Sequence, residues 1–338
     1  MSKGSSTGTA EAWPQRVVAL SGGIGGAKLA LGLKRVLTSG ALTVIANTGD
    51  DFEHLGLHVS PDIDTLVYTL AGINNPETGW GRRDESWQFM AAIGALGGET
   101  WFQLGDADLA MHVMRTQRLA RGDALSTVTA DVCRALDVGT HVLPMSDDAV
   151  RTRIRAETGW LDFQDYFVRQ QSRPVVREIT YDGAEKSTPA AGVIEALTKA
   201  DAVVLCPSNP LISIEPILAV PGIRDAIAQS PAPAIAISPI IAGQAVKGPT
   251  AKMLTELGLA PTAATVLARY QGLIDAFIAD PRDAAELSAT GVSTVEIVAA
   301  DVMMQTIDDR ERVARCALDA AARLHSTTLP CRREVTTP

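Results

Sequence analysis

An eight-residue turn, Ser21-Gly-Gly-Ile-Gly-Gly-Ala-Lys28, separates an apolar strand, Arg16–Leu20, from an amphipathic segment running from about Gly26 to Leu37. Leu29, Leu33 and Val36 fall on one helical face of that segment. A second apolar run, Leu42–Ala46, follows. Strand, glycine turn, helix and strand in about 30 residues make a βαβ unit, which needs a parallel sheet covered by helices. Glycines let a phosphate approach the backbone, and a helix N-terminus offers free N–H groups and the positive end of a dipole. The turn matches neither standard fingerprint. Ala27 and Leu29 break G-x-x-x-x-G-K-[ST], and Lys28 takes the last glycine position of G-x-G-x-x-G. Two readings stay open: a turn needed for packing, and an anion or nucleotide site formed by Gly22, Gly23, Gly25, Gly26 and Lys28.

The rest of the chain extends an α/β, Rossmann-like, doubly wound fold with a mainly parallel sheet. Residues 16–325 are expected to form one domain. A helical insertion occupies about 61–138, with Asp62 as a helix cap and further helices at about Asp84–Leu96, Asp106–Arg121 and Ser126–Leu136. A small α+β excursion covers about 140–185, with strands His141–Leu143, Val150–Ala156 and Val175–Thr180 around Phe163–Val168. Apolar strands return at Ala202–Cys206 and Ala234–Ile237, and a helix at about Asp308–Leu324 closes the fold. Residues 1–15, rich in Ser, Thr and Gly, read as a disordered leader rather than a signal peptide, and 326–338 as a tail. Three strands end at Leu20, Ala46 and Cys206 in polar, glycine or proline turns. Ligands of an open parallel sheet bind outside the carboxyl ends of its strands, so these turns should meet.

Charge and composition narrow the functional classes. With 39 acidic and 30 basic residues, the formal net charge of -9 provides no overall basic field for nucleic acid. No apolar run reaches the roughly 18 residues of a membrane span. The cysteines, Cys133, Cys206, Cys316 and Cys331, are far apart and form no C-x-x-C pair, as expected of reduced thiols in a cytoplasmic protein.

The carboxylates carry the chemistry. Asn47-Thr-Gly-Asp-Asp51 follows the second strand, and Pro61-Asp-Ile-Asp-Thr65 adds two more aspartates close by. Unless cations or hydrogen-bond donors answer them, such groups repel one another. A magnesium ion bridging to a substrate diphosphate is one answer. Asp50 is the leading ligand, Asp64 a second and Asp51 a weaker one. Asn and Asp also favour turns without any ligand. Pro207-Ser-Asn-Pro210 presents Ser208 and Asn209 at a strand end, either as a structural turn or to read a purine edge or ribose. Trp101-Phe-Gln-Leu-Gly-Asp-Ala-Asp108 is an aromatic patch leading into a helix. Arg82, Arg83, Arg115 and Arg118 follow or precede it, as solvated helix-face residues or as phosphate readers. His54 and His58 do not lie on a convincing helix, and no G-x-S-x-G elbow or Cys/His pairing argues for covalent catalysis.

These motifs, with Leu104-Gly-Asp-Ala-Asp108, His112-Val-Met-Arg-Thr116, Leu143-Pro-Met-Ser-Asp-Asp148, Phe163-Gln-Asp165 and Ser238-Pro-Ile-Ile241, occur in order over about 16–325. The ordered set resembles the 2-phospho-L-lactate transferase family of coenzyme F-420 biosynthesis, including its phosphoenolpyruvate-using relatives. The resemblance implies transfer of a lactyl, enolpyruvyl or glyceryl phosphate from a guanosine diphosphate-linked donor to the ribityl hydroxyl of the deazaflavin Fo, with release of GMP. It implies Mg2+ as cofactor, a homodimer, and catalytic roles for Asp64 and Asp50. The glycine turn with Ser208 and Asn209 would hold the nucleotide, and Asp64, Gln103 and Trp101 would meet the deazaflavin. Some relatives carry Lys at the position of Gln103. The alternative is a non-catalytic, nucleotide-sugar-binding regulatory protein of the same superfamily. That group carries a glycine- and serine-rich run after its paired aspartates, where Phe52-Glu-His54 stands here. A dinucleotide oxidoreductase is disfavoured by the broken G-x-G-x-x-G pattern.

Overall fold

A computed structural model describes residues 14–289 and 294–326. β1 (Val17–Ser21) passes through Gly22 into α1 (Gly23–Val36), and β2 (Leu42–Ala46) follows. A hairpin, β3 (Phe52–His54) and β4 (Leu57–Val59), precedes four helices, α2 (Pro61–Ala71), α3 (Gln88–Ala95), α4 (Asp106–Ala120) and α5 (Leu125–Ala135). After β5 (His141–Pro144) come β6 (Arg151–Ala156), β7 (Gly159–Asp162) and β8 (Glu178–Asp182). Alternation resumes with α6 (Val193–Lys199), β9 (Ala202–Leu205), α7 (Glu215–Ala219), α8 (Ile223–Gln229) and β10 (Ala234–Ile237). A small ladder, β11 (Ile240–Ile241) and β12 (Gln244–Ala245), leads to α9 (Thr250–Glu256) and α10 (Ala263–Arg269). β13 (Ala276–Ala279), α11 (Pro281–Ala289), β14 (Glu296–Ala299) and α12 (Ile307–Ser326) come last.

Seven strands form the main sheet in the order β14-β13-β10-β9-β1-β2-β5, and every neighbouring pair is parallel. The chain moves outward from β1 through β2 to β5, then restarts on the other side of β1 at β9. That reversal between β1 and β9 is the switch point at which doubly wound sheets open a ligand crevice. Alternate side chains of each strand feed two cores. Val18, Leu20, Val203, Leu205 and Phe277 face one, and Val17, Ala19, Val204, Ile235 and Ile278 face the other, packed on α1, α2 and α12. Both faces are covered, which is why these strands read as continuous apolar runs.

The structure departs from the sequence expectation in several places. β5 is an edge strand of the main sheet, with Val142 opposite Val44, not part of the excursion. The excursion is a separate antiparallel sheet, β7-β6-β8, in which β7 was unforeseen. α1 begins at Gly23 rather than Gly26, so three of the turn's glycines lie in the first helical turn. The cap position of α2 is Ser60 rather than Asp62, whose carboxylate turns away to another element. Most of the expected leader and tail, with Cys331, lies outside the described residues. Cys133, Cys206 and Cys316 are free thiols. Among the described residues, no helix is long and apolar enough to cross a membrane.

Candidate functional site

The turns after β1, β2 and β9 converge at the switch point. Ser208 Oγ donates to the Gly22 carbonyl at 2.7 Å, and the Gly22 N–H reaches the same hydroxyl at 3.3 Å. The Gly23 N–H donates to Asp62 Oδ1 at 2.7 Å. A Cβ on Gly25 would lie 2.5 Å from the Pro207 carbonyl oxygen, and one on Gly26 would lie 2.6 Å from Ser208 Oγ. The glycines therefore admit the strand-end loop 207–213 against the start of α1. Two of the first amide groups of the turn are already spent within the protein.

Asn47 joins these pieces. It is fully buried at the end of β2, and its amide nitrogen lies 3.1 Å from Asp50 Oδ1, 2.9 Å from Asp62 Oδ2 and 3.1 Å from the Ile212 carbonyl. Its own Oδ1 accepts from Gly49 N at 2.8 Å. One side chain thus ties β2, α2 and the loop after β9 together. Asp50, Asp51 and Asp62 are all buried. Burial, and then the nearby Asp62 and Asp51 charges, push Asp50 well above the usual carboxylate range against the hydrogen bond from Asn47. Burial likewise raises Asp62 to about 6, opposed by hydrogen bonds from Asn47 and Gly23 and assisted by Asp51. Asp51 Oδ2 accepts from Ser60 Oγ at 2.8 Å and faces His58 Nε2 at 3.1 Å, while its Oδ1 is buried without a partner. Among the described residues, no lysine or arginine bonds to Asp50 or Asp62. The buried carboxylates of Asp50 and Asp62, with no cationic side chain bonded to them among the described residues, and the orphaned Oδ1 of Asp51 fit a hard divalent cation.

Asp64 has different partners. Two residues beyond Asp62 on α2, it faces α4 and pairs with Arg115 through both guanidinium nitrogens, Nη1 at 3.1 Å from Oδ2 and Nη2 closer still to Oδ1. His112 stands between two carboxylates, with Nδ1 3.7 Å from Asp64 Oδ2 and Nε2 3.4 Å from Asp108 Oδ1. The Tyr68 hydroxyl donates to Asp108. Among the described residues, Asp64, Asp108 and His112 are the one trio of metal-capable side chains with ligand atoms within 4.8 Å of one another. Arg115 already neutralises Asp64 there, whereas no lysine or arginine among the described residues pairs with Asp50 or Asp62. Arg115 is 2% exposed and is no solvated helix-face residue. Arg118 pairs with Asp123 and Asp131, and the Arg82 guanidinium lies 5.8 Å from the Tyr68 ring centroid.

The remaining expected residues scatter around the crevice. Lys28 Nζ donates to the Met304 carbonyl at 2.9 Å. Asn209 Oδ1 accepts from Leu211 N at 2.9 Å, which leaves its amide nitrogen only Met253 Sδ at 3.7 Å. Trp101 packs edge-on to His54 and Phe102 with the Arg169 guanidinium 5.3 Å from its ring, and Gln103 is exposed, bonded to the Thr100 carbonyl. A cavity of about 210 Å³ opens beside the carboxylates, between residues 49–53 and Arg151, Thr152 and residues 162–164. A larger hollow of about 480 Å³ along α12 shares no residue with the crevice and is lined by surface groups such as Asp308, Arg312 and Arg323. Sequence reasoning missed the linking role of Asn47, the placement of Asp62 and the burial of Arg115. The Asn before the paired aspartates was visible, but its reach across the fold was not.

A seven-stranded, doubly wound α/β fold with buried carboxylates at its switch point is a framework used by many enzymes, and the comparisons narrow it further. The family model described as 2-phospho-L-lactate transferase CofD matches residues 17–317, and the chain belongs to that family. It is 43% identical over 312 residues to a phosphoenolpyruvate transferase of Streptomyces griseus, covering 90% of this chain and 98% of that protein. It is 39% identical over 323 residues to one of Thermobifida fusca, covering 91% and 98%. Among solved structures, a UPF0052-family protein of Bacillus halodurans shares the fold, with a TM-score of 0.60, 17% identity, and 90% and 99% of the two chains covered. The protein is a transferase.

Proposed function

We propose that the chain moves a phosphorylated three-carbon acid from a guanosine diphosphate-linked donor to the ribityl hydroxyl of the deazaflavin Fo. The reaction would release GMP and form a phosphodiester in coenzyme F-420 biosynthesis. The observation that carries the reading is the shared grip of Asn47 on Asp50 and Asp62, beside the first turn of α1 at the switch point. Magnesium, when bound there, supplies charge neutralisation for the diphosphate. Asp50 and Asp62 would hold it, with Asp51 adjacent. This differs from the sequence expectation, which paired Asp50 with Asp64.

Phosphoryl transfer of this kind needs positioning more than covalent help. Asn47 holds the carboxylates in register. Asp64, held by Arg115 with His112 nearby, belongs to a second polar cluster suited to orienting the acceptor hydroxyl. The aromatic group of Phe52, Trp101 and Phe102 is suited to the flat deazaflavin ring. The names of the relatives favour the enolpyruvyl donor. The protein would act in the cytoplasm, as a homodimer. Purified protein, magnesium and Fo would be offered the lactyl, enolpyruvyl and glyceryl donors, and product mass measured. A deazaflavin phosphodiester from one of them supports the reading, and none from any donor overturns it.

A further inference from the structure

Ile24, Lys28 and Gly32 recur at four-residue spacing and share one face of α1. Three remote segments close on that face. At Gly79, an added Cβ would lie 2.9 Å from Ile24 Cγ2 and 3.5 Å from Lys247 Nζ. At Gly32, the Arg310 carbonyl leaves no room for a Cβ. Between them, Lys28 aims its ammonium at the Met304 carbonyl. Lys28, Lys247 and Arg310 thus gather along one helix face. Lys247 follows β10 and Met304 follows β14, so the group lies on the side of the strands' carboxyl ends.

None of the three cations has an ion-pair partner among the described residues. Lys247 Nζ donates to the Thr78 carbonyl at 2.8 Å, and Arg310 Nε is buried with no hydrogen bond. Burial, and then Arg310 and Lys247, lower the pKa of Lys28. By contrast, the buried Arg115 is matched by Asp64, and the half-buried Arg269 by Glu215. Arg310 also sits in the first turn of α12, where the helix dipole disfavours a cation. Among the described residues no carboxylate pairs with any of the three, and a bound anion would offset their repulsion. The glycine turn is poorly placed to replace these groups, since Ser208 and Asp62 take the Gly22 and Gly23 amides.

We propose that Lys28, Lys247 and Arg310 form the corner that grips the diphosphate of the nucleotide, across the crevice from Asp50 and Asp62. This rests on the nucleotide reading above and adds Lys247 and Arg310 to it. Calorimetric titrations with GDP, GMP and inorganic pyrophosphate, in magnesium, would compare wild type with Lys247→Gln and Arg310→Gln. Each variant should bind GDP about tenfold more weakly and narrow the gap between GDP and GMP. Each should also depend less on salt and melt no lower than wild type. Lys247 is exposed, so that variant tests the corner without threatening the fold. Wild-type affinity for GDP in both variants overturns the corner alone. Wild-type protein that binds pyrophosphate but not GDP overturns the nucleotide reading, and the corner with it.

Discussion

The carboxylate of Asp62 accepts the backbone N–H of Gly23 at 2.7 Å, so the second residue of α2 closes the first turn of α1. α1 has neither a capping side chain of its own nor an acidic residue in its first turn, and Asp62 serves from outside. The same carboxylate is raised to about 6, chiefly by burial. A raised carboxylate binds its proton more tightly in the folded state. Its protonation therefore supports folding at low pH, and that support is lost as pH rises from about 4 to about 6. In metal-free buffer, Asp62→Asn should gain stability relative to wild type across that interval, by on the order of 2 kcal/mol. Thermal melts of both proteins from pH 4 to 7 in chelator would show it. A difference that stays flat with pH would remove Asp62 from the account.

Magnesium should act in the opposite direction. Saturating magnesium at pH 7 should raise the melting temperature of wild type and abolish the advantage of Asp62→Asn, because ligands that bind only the folded state stabilise it. Chelation should stop turnover, and Asp50→Asn should need far more magnesium to recover it. Equal melting curves with and without the ion would count against a cation site there.

Among the described residues, Asn47 is the one side chain that donates to both Asp50 and Asp62. Asn47→Ala leaves two buried carboxylates without their shared donor and should destabilise the protein by about 2–3 kcal/mol. Turnover should fall more steeply than stability explains. Urea unfolding and initial rates on the same preparations would separate the two effects, and near-normal rates would make Asn47 a packing residue only.

How far these relationships could be read in advance varied with their range. The strands of β1, β2, β9 and β10 stood out because both sheet faces are covered, which leaves unbroken apolar runs. β13, with only Ala276–Ala279, and the edge strand β14, beginning at Glu296, gave no such signal. The β3–β4 hairpin depends on Leu55 and Gly56, both at positive φ, of which only the glycine hinted at a turn. Asp62 and Asp64 are indistinguishable in a local pattern. Their roles separate only because a helix sends i and i+2 in different directions, one to Gly23 and the other to Arg115. The partner of Asp64 lies 51 residues away, beyond what local spacing can resolve.

That ion pair also yields an asymmetric prediction. Arg115→Ala would strand Asp64 in the interior and should cost about 3–5 kcal/mol. The double change Arg115→Met with Asp64→Leu, which removes both charges, should be milder for folding yet still inactive. Chemical denaturation of the two variants checks the first statement and rate assays the second. Equal destabilisation would show that the pair matters as packing rather than as charge.

The place of β1 at the centre of the sheet has a consequence for how the molecule is made. Its neighbour on one side, β2, is synthesised soon after it, but β9 on the other side appears only at Ala202–Leu205. The last described helix, α12, packs on α1 through the Gly32–Arg310 contact. A growing chain therefore carries its glycine turn and aspartates long before the wall that faces them exists. The Ser208–Gly22 contact cannot form until the loop after β9 has been made, so assembly of the crevice waits on non-local chain.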